Sequence, residues 1–479
     1  MLLKQVCAGQ VNQYAQGLHI LVINNERYII YASGSNVVIY TDQNILSQII
    51  STQKHDIHSK NNYAITAITS HPQTGQLAVA FRSFVEFFEF NSETKKWVSD
   101  SVVDIGYKIT YLDWNIDGRL LIAGEKISLW KKNKLQWNYY WIMQPSTEIL
   151  LAKFSPDGTM FATAGHFDHL VTIWYQAKEL DDSIPCSYEF IYLPHPRDIT
   201  HFTWRKLPTN NNVPSDCTLF TMCRDGVGRF WSPTDIKMPY RLYMCAVIDP
   251  SQSLVTSDSS ASICSSHHNS IDDENNNNNH DHYEDSFSPI HYIGCDELQN
   301  ALNVYQLHQS VSKHSESIFQ QIEKVKEMVK DTPDLLFRIQ LDGSIIFWGI
   351  QHLNSWPRRI PRSFVVLRID QVISPADVQF FLHHIDISHD YSHIQSLSTI
   401  KPTELSLFTR NNSGEIRCYE LNLLDFLDST PFQSQLRLKY SWLGHRQSIK
   451  SIYQSQHNQF CTIGNDGQIA MWDYGLREV

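Results

Sequence analysis

The chain has 479 residues, 42% of them hydrophobic and 12% aromatic, and it carries a formal charge of −11 at pH 7. Its length is enough for a full hydrophobic core and for roughly two to four domains. The acidic balance argues against a mainly electrostatic nucleic-acid binder, because such proteins need a basic face to displace counterions.

No apolar stretch reaches the roughly 20 residues that a bilayer-spanning helix needs. The first residues lack the charged start, apolar middle and small-residue cleavage site of a signal peptide, so we expect none. The nine cysteines are scattered without a CxxC pair. An odd number of cysteines at irregular spacing favours reduced thiols in the cytosol over a disulfide framework.

A repeated spacing is the main signal in the sequence. In four segments an aspartate stands six residues before a tryptophan: Asp168 before Trp174, Asp225 before Trp231, Asp342 before Trp348 and Asp466 before Trp472. Glycine follows the aspartate directly in the last three of these. Asp-Gly favours a tight hairpin turn, since glycine takes a positive φ at little cost. Each segment is therefore predicted to be one arm of a β-hairpin.

A complete unit is clearest between Trp130 and Trp174, which are 44 residues apart. The unit reads as a strand over 149–154, a turn at Ser155-Pro156-Asp157-Gly158, a second strand, the turn at Asp168 and a final strand that ends at Trp174. Its length matches the roughly 40 to 45 residues of a four-stranded propeller blade. The last unit opens with Gly444-His445 and closes with Trp472-Asp473, the two dipeptides that mark WD repeats.

Eight aromatic residues close successive units: Tyr40, Phe90, Trp130, Trp174, Trp231, Trp348, Tyr419 and Trp472. Because closed rings commonly have about seven blades, we expect residues 1–430 to form a seven-bladed WD-repeat β-propeller. Residues 431–479 are then expected to be the first blade of a second propeller, which a fragment or a truncated gene model would leave unfinished. One eight-bladed ring is the competing count. The predicted fold class is all-β, with one inserted helix.

The repeat is interrupted between Trp231 and Trp348. Residues 251–290 consist mostly of Ser, Asn, Asp and His, and such a composition cannot repay the entropy of ordering, so we expect a disordered surface insertion. A helix is predicted over 315–330, because apolar residues recur there at helical spacing. Its apolar stripe could seat a partner, although docking on its own domain is the commoner outcome.

No common catalytic or phosphate-binding signature is present, so we expect no enzyme and assign no catalytic, cofactor-binding or metal-binding residue. The aspartates before the tryptophans are interpreted as hydrogen-bond acceptors in turns, and the aromatic residues as packing between blades. Two groups of histidines and carboxylates could bind zinc only if their side chains converged, and we interpret both as parts of solvated loops. The first group is His383, His384, Asp386, His389, Asp390 and His393. The second, in the insertion, is His267, His268, His280 and His282.

Two basic patches could have another role. The first, Trp356-Pro357-Arg358-Arg359-Ile360-Pro361-Arg362, could contact an acidic partner or phosphoinositide headgroups. The second, Lys131-Lys132-Asn133-Lys134, follows a closing tryptophan and has the position of a loop between blades. Solvation is a sufficient explanation for both.

One stretch is more particular than a generic WD repeat: Leu193-Pro194-His195-Pro196-Arg197-Asp198-Ile199-Thr200, followed by Trp204-Arg205-Lys206. It resembles a segment in the N-terminal propellers of the DmX-like or rabconnectin family, whose fungal members are the large subunit of the RAVE complex. The opening Val6 to Asn12, the run 154–165 and the segment 225–231 also look like their counterparts, so the resemblance covers at least Val6 to Trp348.

This resemblance implies a non-catalytic assembly factor. Members of the family bind the detached peripheral sector of the vacuolar proton-transporting ATPase and, with companion subunits, help to rejoin it to the membrane sector. The implied partners are therefore the peripheral sector and RAVE companion subunits, without nucleic acid. The implied location is the cytoplasm, with peripheral association to vacuolar and endosomal membranes. The alternative is a WD-repeat adaptor of another complex, such as a ubiquitin-ligase substrate receptor or a vesicle-coat component.

Overall fold

The computed structural model of the chain describes these residues: 2–7, 9–12, 14, 16–24, 26–41, 45–52, 64–133, 136–176, 187–205, 217–233, 235, 238–249, 290–292, 334–340, 344–353, 359–369, 404–410, 413–422, 437–456 and 459–473. They form eight antiparallel sheets, seven with four strands and one with three.

The first four sheets each consist of consecutive strands that pair with their neighbours in the chain. Sheet 1 is β2 (Leu18–Ile23), β3 (Glu26–Ser33), β4 (Asn36–Thr41) and β5 (Leu46–Ser51). Sheet 2 is β6 (Ile65–Ser70), β7 (Leu77–Phe81), β8 (Phe84–Asn91) and β9 (Lys96–Asp104). Sheet 3 is β10 (Ile109–Trp114), β11 (Arg119–Gly124), β12 (Ile127–Asn133) and β13 (Gln136–Met143). Sheet 4 is β14 (Ile149–Phe154), β15 (Met160–Gly165), β16 (Leu170–Gln176) and β17 (Tyr188–Pro194).

The remaining sheets follow the same order, except that the last one borrows a strand from the start of the chain. Sheet 5 is β18 (Ile199–Trp204), β19 (Leu219–Cys223), β20 (Gly228–Pro233) and β21 (Leu242–Ile248). Sheet 6 is β22 (His291–Tyr292), β23 (Asp334–Ile339), β24 (Ile345–Gln351) and β25 (Arg362–Ile369). Sheet 7 is β26 (Glu404–Arg410), β27 (Glu415–Asn422) and β28 (Arg437–Leu443). Sheet 8 is β29 (Ile449–Gln456), β30 (Gln459–Gly464), β31 (Ile469–Asp473) and β1 (Leu2–Val6).

The fold is thus all-β, and the predicted blade is confirmed in sheet 4, whose first strand and closing tryptophan lie where the spacing placed them. The Asp-Gly turn is confirmed in sheet 5, where Gly226 joins β19 to β20 with a φ of 73°. A β-carbon is strained in that left-handed region, which explains why glycine follows the aspartate.

The five closing tryptophans pack between sheets, as the repeat predicted. Trp174 lies in a buried cluster with Leu121 and Leu129 of sheet 3, and Trp231 in one with Ile173 of sheet 4. Trp130, Trp348 and Trp472 make equivalent contacts across sheets 2 and 3, 5 and 6, and 7 and 8. The sheets are therefore wedges of a WD-repeat β-propeller whose cores are shared between neighbours.

The N-terminal strand completes the last sheet. β1 pairs antiparallel with β31, with Leu3 opposite Trp472 and Val6 opposite Ala470. This pairing runs against the expected division into residues 1–430 and 431–479, since sheet 8 needs a strand from the first unit. Residue 430 also lies between β27 and β28, which pair with each other. With β1 the last sheet has four strands, one of them from the start of the chain, so the pairing favours the competing count of one eight-bladed ring.

The predicted helix over 315–330 and nearly all of the predicted insertion lie outside the described residues. The insertion boundary at residue 290 needs correction. Ile290 is buried and packs with Phe220 and Met222 of sheet 5 and with Leu336 of sheet 6. An apolar side chain in this shared core belongs to the fold, so the insertion ends before Ile290.

Candidate functional site

A buried hydrogen-bond relay fixes the loop that enters sheet 5. His195 Nδ1 lies 2.9 Å from the Leu193 carbonyl oxygen, and His195 Nε2 lies 2.7 Å from Thr221 Oγ1. Trp231 Nε1 donates to the same hydroxyl at 2.8 Å. Burial lowers the pKa of His195 to about 4, so its ring is neutral near pH 7. The Nδ1 proton is then donated to Leu193, and Nε2 accepts the proton of the threonine hydroxyl.

Sheet 8 repeats this relay. His445 Nε2 lies 2.7 Å from Thr462 Oγ1, which accepts from Trp472 Nε1 at 2.8 Å. Its Nδ1 faces Asp466 at 3.2 Å instead of a carbonyl, and burial still lowers the pKa of His445. Sheet 4 keeps the Thr163 and Trp174 pair at 2.9 Å. These polar groups anchor turns and tryptophans within the blades.

Three of the four repeat aspartates act as turn acceptors, as predicted, and Asp342 lies outside the described residues. Asp225 Oδ1 accepts from the Val227 backbone N–H at 2.9 Å, and Asp466 Oδ1 accepts from that of Gln468 at 3.0 Å. Asp168 Oδ2 accepts from the Gly165 N–H at 2.7 Å. Asp225 also pairs with Arg229. These carboxylates are therefore engaged in holding the hairpins.

The relays position three loops that meet beside one another at sheets 4 and 5. We call this region the sheet 4–5 loop face, and it comprises residues 166–169, 195–198 and 224–227. The His195 backbone N–H donates to the His169 carbonyl at 2.8 Å, and the Ile199 N–H donates to that of Asp168 at 2.8 Å. The Arg224 N–H donates to the Asp198 carbonyl at 2.9 Å. Backbone hydrogen bonds thus tie the loops together across two blades.

Phe167 stands out on this face. It has a φ of 59°, in the left-handed region that a bulky side chain rarely occupies. Its side chain is 61% exposed, so core packing does not account for the strain. The ring contacts that of His166 at 3.8 Å between centroids. A strained residue that holds an aromatic ring in solvent is a candidate functional residue.

The strain has a local origin in an added residue. Gly165, Cys223 and Gly464 occupy equivalent register positions, since each pairs with the first residue of its sheet. The turn aspartate follows two residues after Cys223 and Gly464, but three residues after Gly165. The Gly165 turn therefore contains one residue more than its equivalents, and the chain accommodates it by projecting Phe167.

Arg224 connects Phe167 to a charged group. Its Cζ lies 5.7 Å from the centre of the Phe167 ring, within the range of a cation–π contact. Its Nε lies 3.6 Å from Asp198 Oδ2, while His169 Nε2 lies 2.9 Å from Asp198 Oδ1. Arg224 comes from sheet 5 and Phe167 from sheet 4, so the pair spans the junction between two blades.

Exposed apolar side chains also lie on the face of sheet 4 that carries Trp174 and is turned toward sheet 3. Leu170 and Tyr192 are exposed, and so is Phe190, whose ring lies 5.1 Å from that of Tyr192. This strip is therefore on the opposite face of sheet 4 from the one that packs against sheet 5.

Several residues weighed from the sequence lie outside the described residues: Lys134, His267, His268, His280, His282, Trp356, Pro357, Arg358, His383, His384, Asp386, His389, Asp390 and His393. Arg359 and Arg362 of the first basic patch are both exposed. In the second patch, Lys132 Nζ bridges sheets 2 and 3 by lying 2.9 Å from Glu89 Oε1 and 2.8 Å from Asp100 Oδ2. Lys132 thus has a specific ionic contact beyond general solvation.

Sequence reasoning did not single out Phe167 or Arg224. The signal that could have found Phe167 is the extra residue between Gly165 and Asp168, visible when the hairpins are aligned. Arg224 carries no such signal, because its approach to Phe167 depends on the packing of two blades.

Among the described residues, no group of three or more His, Cys, Asp or Glu side chains is placed to hold a metal ion. In the same part of the chain, no helix combines the length and apolar character required for a membrane span.

No family model matches the chain. Solved structures that the comparison matched to the chain include the β-propeller domain of Cps50 (Swd1) from Myceliophteria thermophila, at 12% identity and a TM-score of 0.41, covering 87% of this chain and 97% of that one. A chain of a mitotic checkpoint complex has 11% identity and a TM-score of 0.42, covering 99% of this chain and 95% of that one.

Curated relatives give a clearer relationship. Human DmX-like protein 1 is 28% identical over 287 residues, which are 51% of this chain and 9% of that protein. The Saccharomyces cerevisiae regulator of V-ATPase in vacuolar membrane protein 1 is 26% identical over 223 residues, which are 43% of this chain and 15% of that protein. The matched region is thus a small part of each relative. Over about half of its length the chain is a relative of the DmX-like proteins and of the yeast regulator, as its motifs predicted.

Proposed function

We propose that the chain is a non-catalytic scaffold of a RAVE-like complex that promotes assembly of the vacuolar proton-transporting ATPase. The relationship to the yeast V-ATPase regulator is the observation that carries this proposal. Its implied partners are the peripheral sector of the pump and companion subunits of the complex. Its place of action would be the cytoplasmic surface of vacuolar and endosomal membranes.

The architecture suits such a role. The blades share buried cores, and histidine relays anchor their loops, so the ring can present loops to partners with little change of its own shape. The repeated motif contains carboxylates that could first be considered for catalysis. These carboxylates, of Asp168, Asp225 and Asp466, accept backbone hydrogen bonds within turns. Both features support binding over bond-making chemistry.

Affinity purification of the tagged chain from its own cells, followed by quantitative mass spectrometry, tests the proposal. We expect the peripheral-sector subunits of the pump to be enriched over a tag-only control, together with companion proteins. Recovery of a cullin adaptor or of vesicle-coat proteins without pump subunits would contradict it and support the alternative adaptor.

A second measurement separates binding from assembly. Cells that lack the protein should retain less peripheral sector on purified vacuolar membranes, and expression of the protein should restore it. An unchanged amount of peripheral sector on these membranes would contradict a role in assembly even if binding were observed.

A further inference from the structure

We propose that residues 7–17 act as a clasp that holds the ring closed and opens as a single unit. The segment runs from β1, which completes sheet 8, to β2, the first strand of sheet 1. We call its described residues, 7, 9–12, 14, 16 and 17, the N-terminal clasp. The inference concerns the ring itself and does not rest on the proposed scaffold function.

The clasp starts on sheet 8. The Cys7 backbone N–H donates to the Ile469 carbonyl at 2.9 Å, and the Val11 N–H donates to the Gly467 carbonyl at 3.0 Å. Gly467 lies in the turn between β30 and β31, where a β-carbon would collide with the Gln10 side chain. The clasp therefore packs directly against this turn, and glycine makes the close approach possible.

Asn12 joins sheets 1 and 2. Its Nδ2 donates to the Gly34 carbonyl at 2.7 Å and to the Ile65 carbonyl at 2.9 Å, and its Oδ1 accepts from the Gly34 N–H at 2.7 Å. Gly34 lies in the turn between β3 and β4, whereas Ile65 begins β6. Because Asn12 directly follows Val11, the clasp passes from sheet 8 to sheets 1 and 2 at consecutive residues. This is the junction at which the ring closes.

Gln16 extends the clasp to sheet 3. The Ile68 N–H of β6 donates to the Gln16 carbonyl at 3.1 Å, so the backbone of Gln16 lies along the edge of β6. The Gln16 side chain reaches β10, where Nε2 donates to the Leu112 carbonyl at 2.8 Å and Oε1 accepts from the Leu112 N–H at 2.8 Å. β6 and β10 are the first strands of neighbouring sheets and lie side by side. One residue therefore satisfies backbone groups of two adjacent blades.

The clasp has the properties of one opening unit. Three residues separate Asn12 from Gln16, so the contacts with different sheets are linked by very little chain. Each contact therefore keeps the next residue at a high local concentration beside its own partner. Proteins open locally in such contiguous segments. Loss of one contact is thus expected to weaken the others, and opening of the clasp frees sheet 8 from sheet 1.

Hydrogen exchange resolved to single amides tests the proposal. Gln16→Met keeps the length of the side chain and removes both of its hydrogen bonds to Leu112. Exchange at the Leu112 N–H should rise about tenfold. Exchange at the Val11 N–H should rise by a similar factor, although its hydrogen bond to Gly467 involves no atom of Gln16.

Gln48→Met is the matched control. The Gln48 amide makes the same pair of hydrogen bonds to Trp97, with Nε2 2.8 Å from the carbonyl oxygen and Oε1 2.9 Å from the backbone nitrogen. It also joins sheets 1 and 2, but through their outer strands β5 and β9. Its replacement should speed exchange at the Trp97 N–H and leave exchange at Val11 and Leu112 unchanged.

Asn12→Ala removes a different contact of the clasp and should speed exchange at Leu112 as well as at Gly34. Faster exchange at Leu112 in Gln16→Met with unchanged exchange at Val11 would overturn the proposal, because the contacts would then open independently. An equal rise at Val11 in Gln48→Met would also overturn it, since the effect would be a general loosening of the ring.

Native-state exchange of the unaltered chain in increasing urea provides a test that needs no variant. The amides of Val11, Gly34 and Leu112 should converge on one opening free energy, below that of the β15 amides. Different opening free energies for these amides would overturn the proposal. The pump is absent from all of these measurements, so their outcome leaves the proposed scaffold function to its own test.

Discussion

Arg205 and Asp334 form a fully buried ion pair between sheets 5 and 6. Arg205 Nε donates to Asp334 Oδ1 at 2.8 Å, and Arg205 Nη2 lies 2.7 Å from Oδ2. Both side chains have 0% exposure. The pair joins the end of β18 in sheet 5 to the start of β23 in sheet 6. It thus connects two sheets whose strands β21 and β22 are separated in sequence by residues 249–290.

Breaking this pair should be costly. Asp334→Asn leaves the Arg205 charge buried without its carboxylate, which should lower the free energy of unfolding by about 3–5 kcal/mol. The double variant Arg205→Met with Asp334→Leu should recover much of this loss, because apolar groups of similar size carry no desolvation penalty. Urea unfolding midpoints measure both effects. A single variant as stable as the unaltered chain would contradict the assigned role.

The loss of stability on replacing one of these threonines should increase with the number of hydrogen bonds that its hydroxyl makes. Thr221→Val keeps the shape but leaves His195 Nε2 and Trp231 Nε1 unpaired, so it should cost about 2 kcal/mol or more. Thr163→Val removes only the bond from Trp174 Nε1 and should cost about 1 kcal/mol. Thermal unfolding of the two variants makes the comparison. Equal losses of stability in the two variants would show that the hydrogen bond between Thr221 and His195 adds nothing to the stability of the fold.

Acid should destabilise the fold before the carboxylates titrate. Burial lowers the pKa of His19 and of His195 from 6.5 to about 4, and it also lowers those of His71 and His445. Between pH 6.5 and 4 the unfolded chain therefore binds more protons than the native chain. Stability should fall as pH falls, by up to about 1.4 kcal/mol per pH unit for each such histidine.

Melting temperatures measured from pH 7 to pH 5 test this dependence. His195→Asn should lower the melting temperature at pH 7 and flatten the pH profile, because one of the titrating groups is removed. A profile of the unaltered chain that is flat over this interval would contradict the assignment of neutral buried rings.

The insertion can be tested at its corrected boundary. Deletion of residues 251–289 should leave the melting temperature nearly unchanged, because loop length has little effect on stability. Extending the deletion to Ile290 should lower it, since a buried isoleucine in the core of sheets 5 and 6 is lost, at about 2–5 kcal/mol for a truncated aliphatic side chain. The same result for both deletions would show that Ile290 contributes nothing to that core.

How much of the structure could be predicted from the sequence depended on how far apart along the chain the interacting residues lie. The hairpins were readable because Asp225, Gly226 and Trp231 act within one turn and one strand, and the packing of the tryptophans follows from the same repeat. The pairing of β1 with β31 joins the two ends of the chain and has no local signature.

The motif around His195 and Arg205 carried the family resemblance, yet both side chains are buried and hold the blades together. A motif can thus mark a family through the construction of its fold. The contact between Phe167 and Arg224 arises only when sheets 4 and 5 pack, and residue spacing along the chain does not encode that contact.

The pairing of the chain ends is the most consequential feature of the architecture, because it makes the last sheet depend on the first strand. Hydrogen exchange of β31, measured by mass spectrometry in the full chain and in a variant lacking residues 1–7, tests it directly. Deletion should speed exchange in Ile469–Asp473, whose strand loses one of its two partner strands, while β15 and β16 keep their protection. Unchanged protection of Ile469–Asp473 would contradict closure by β1 and would restore the separate second propeller.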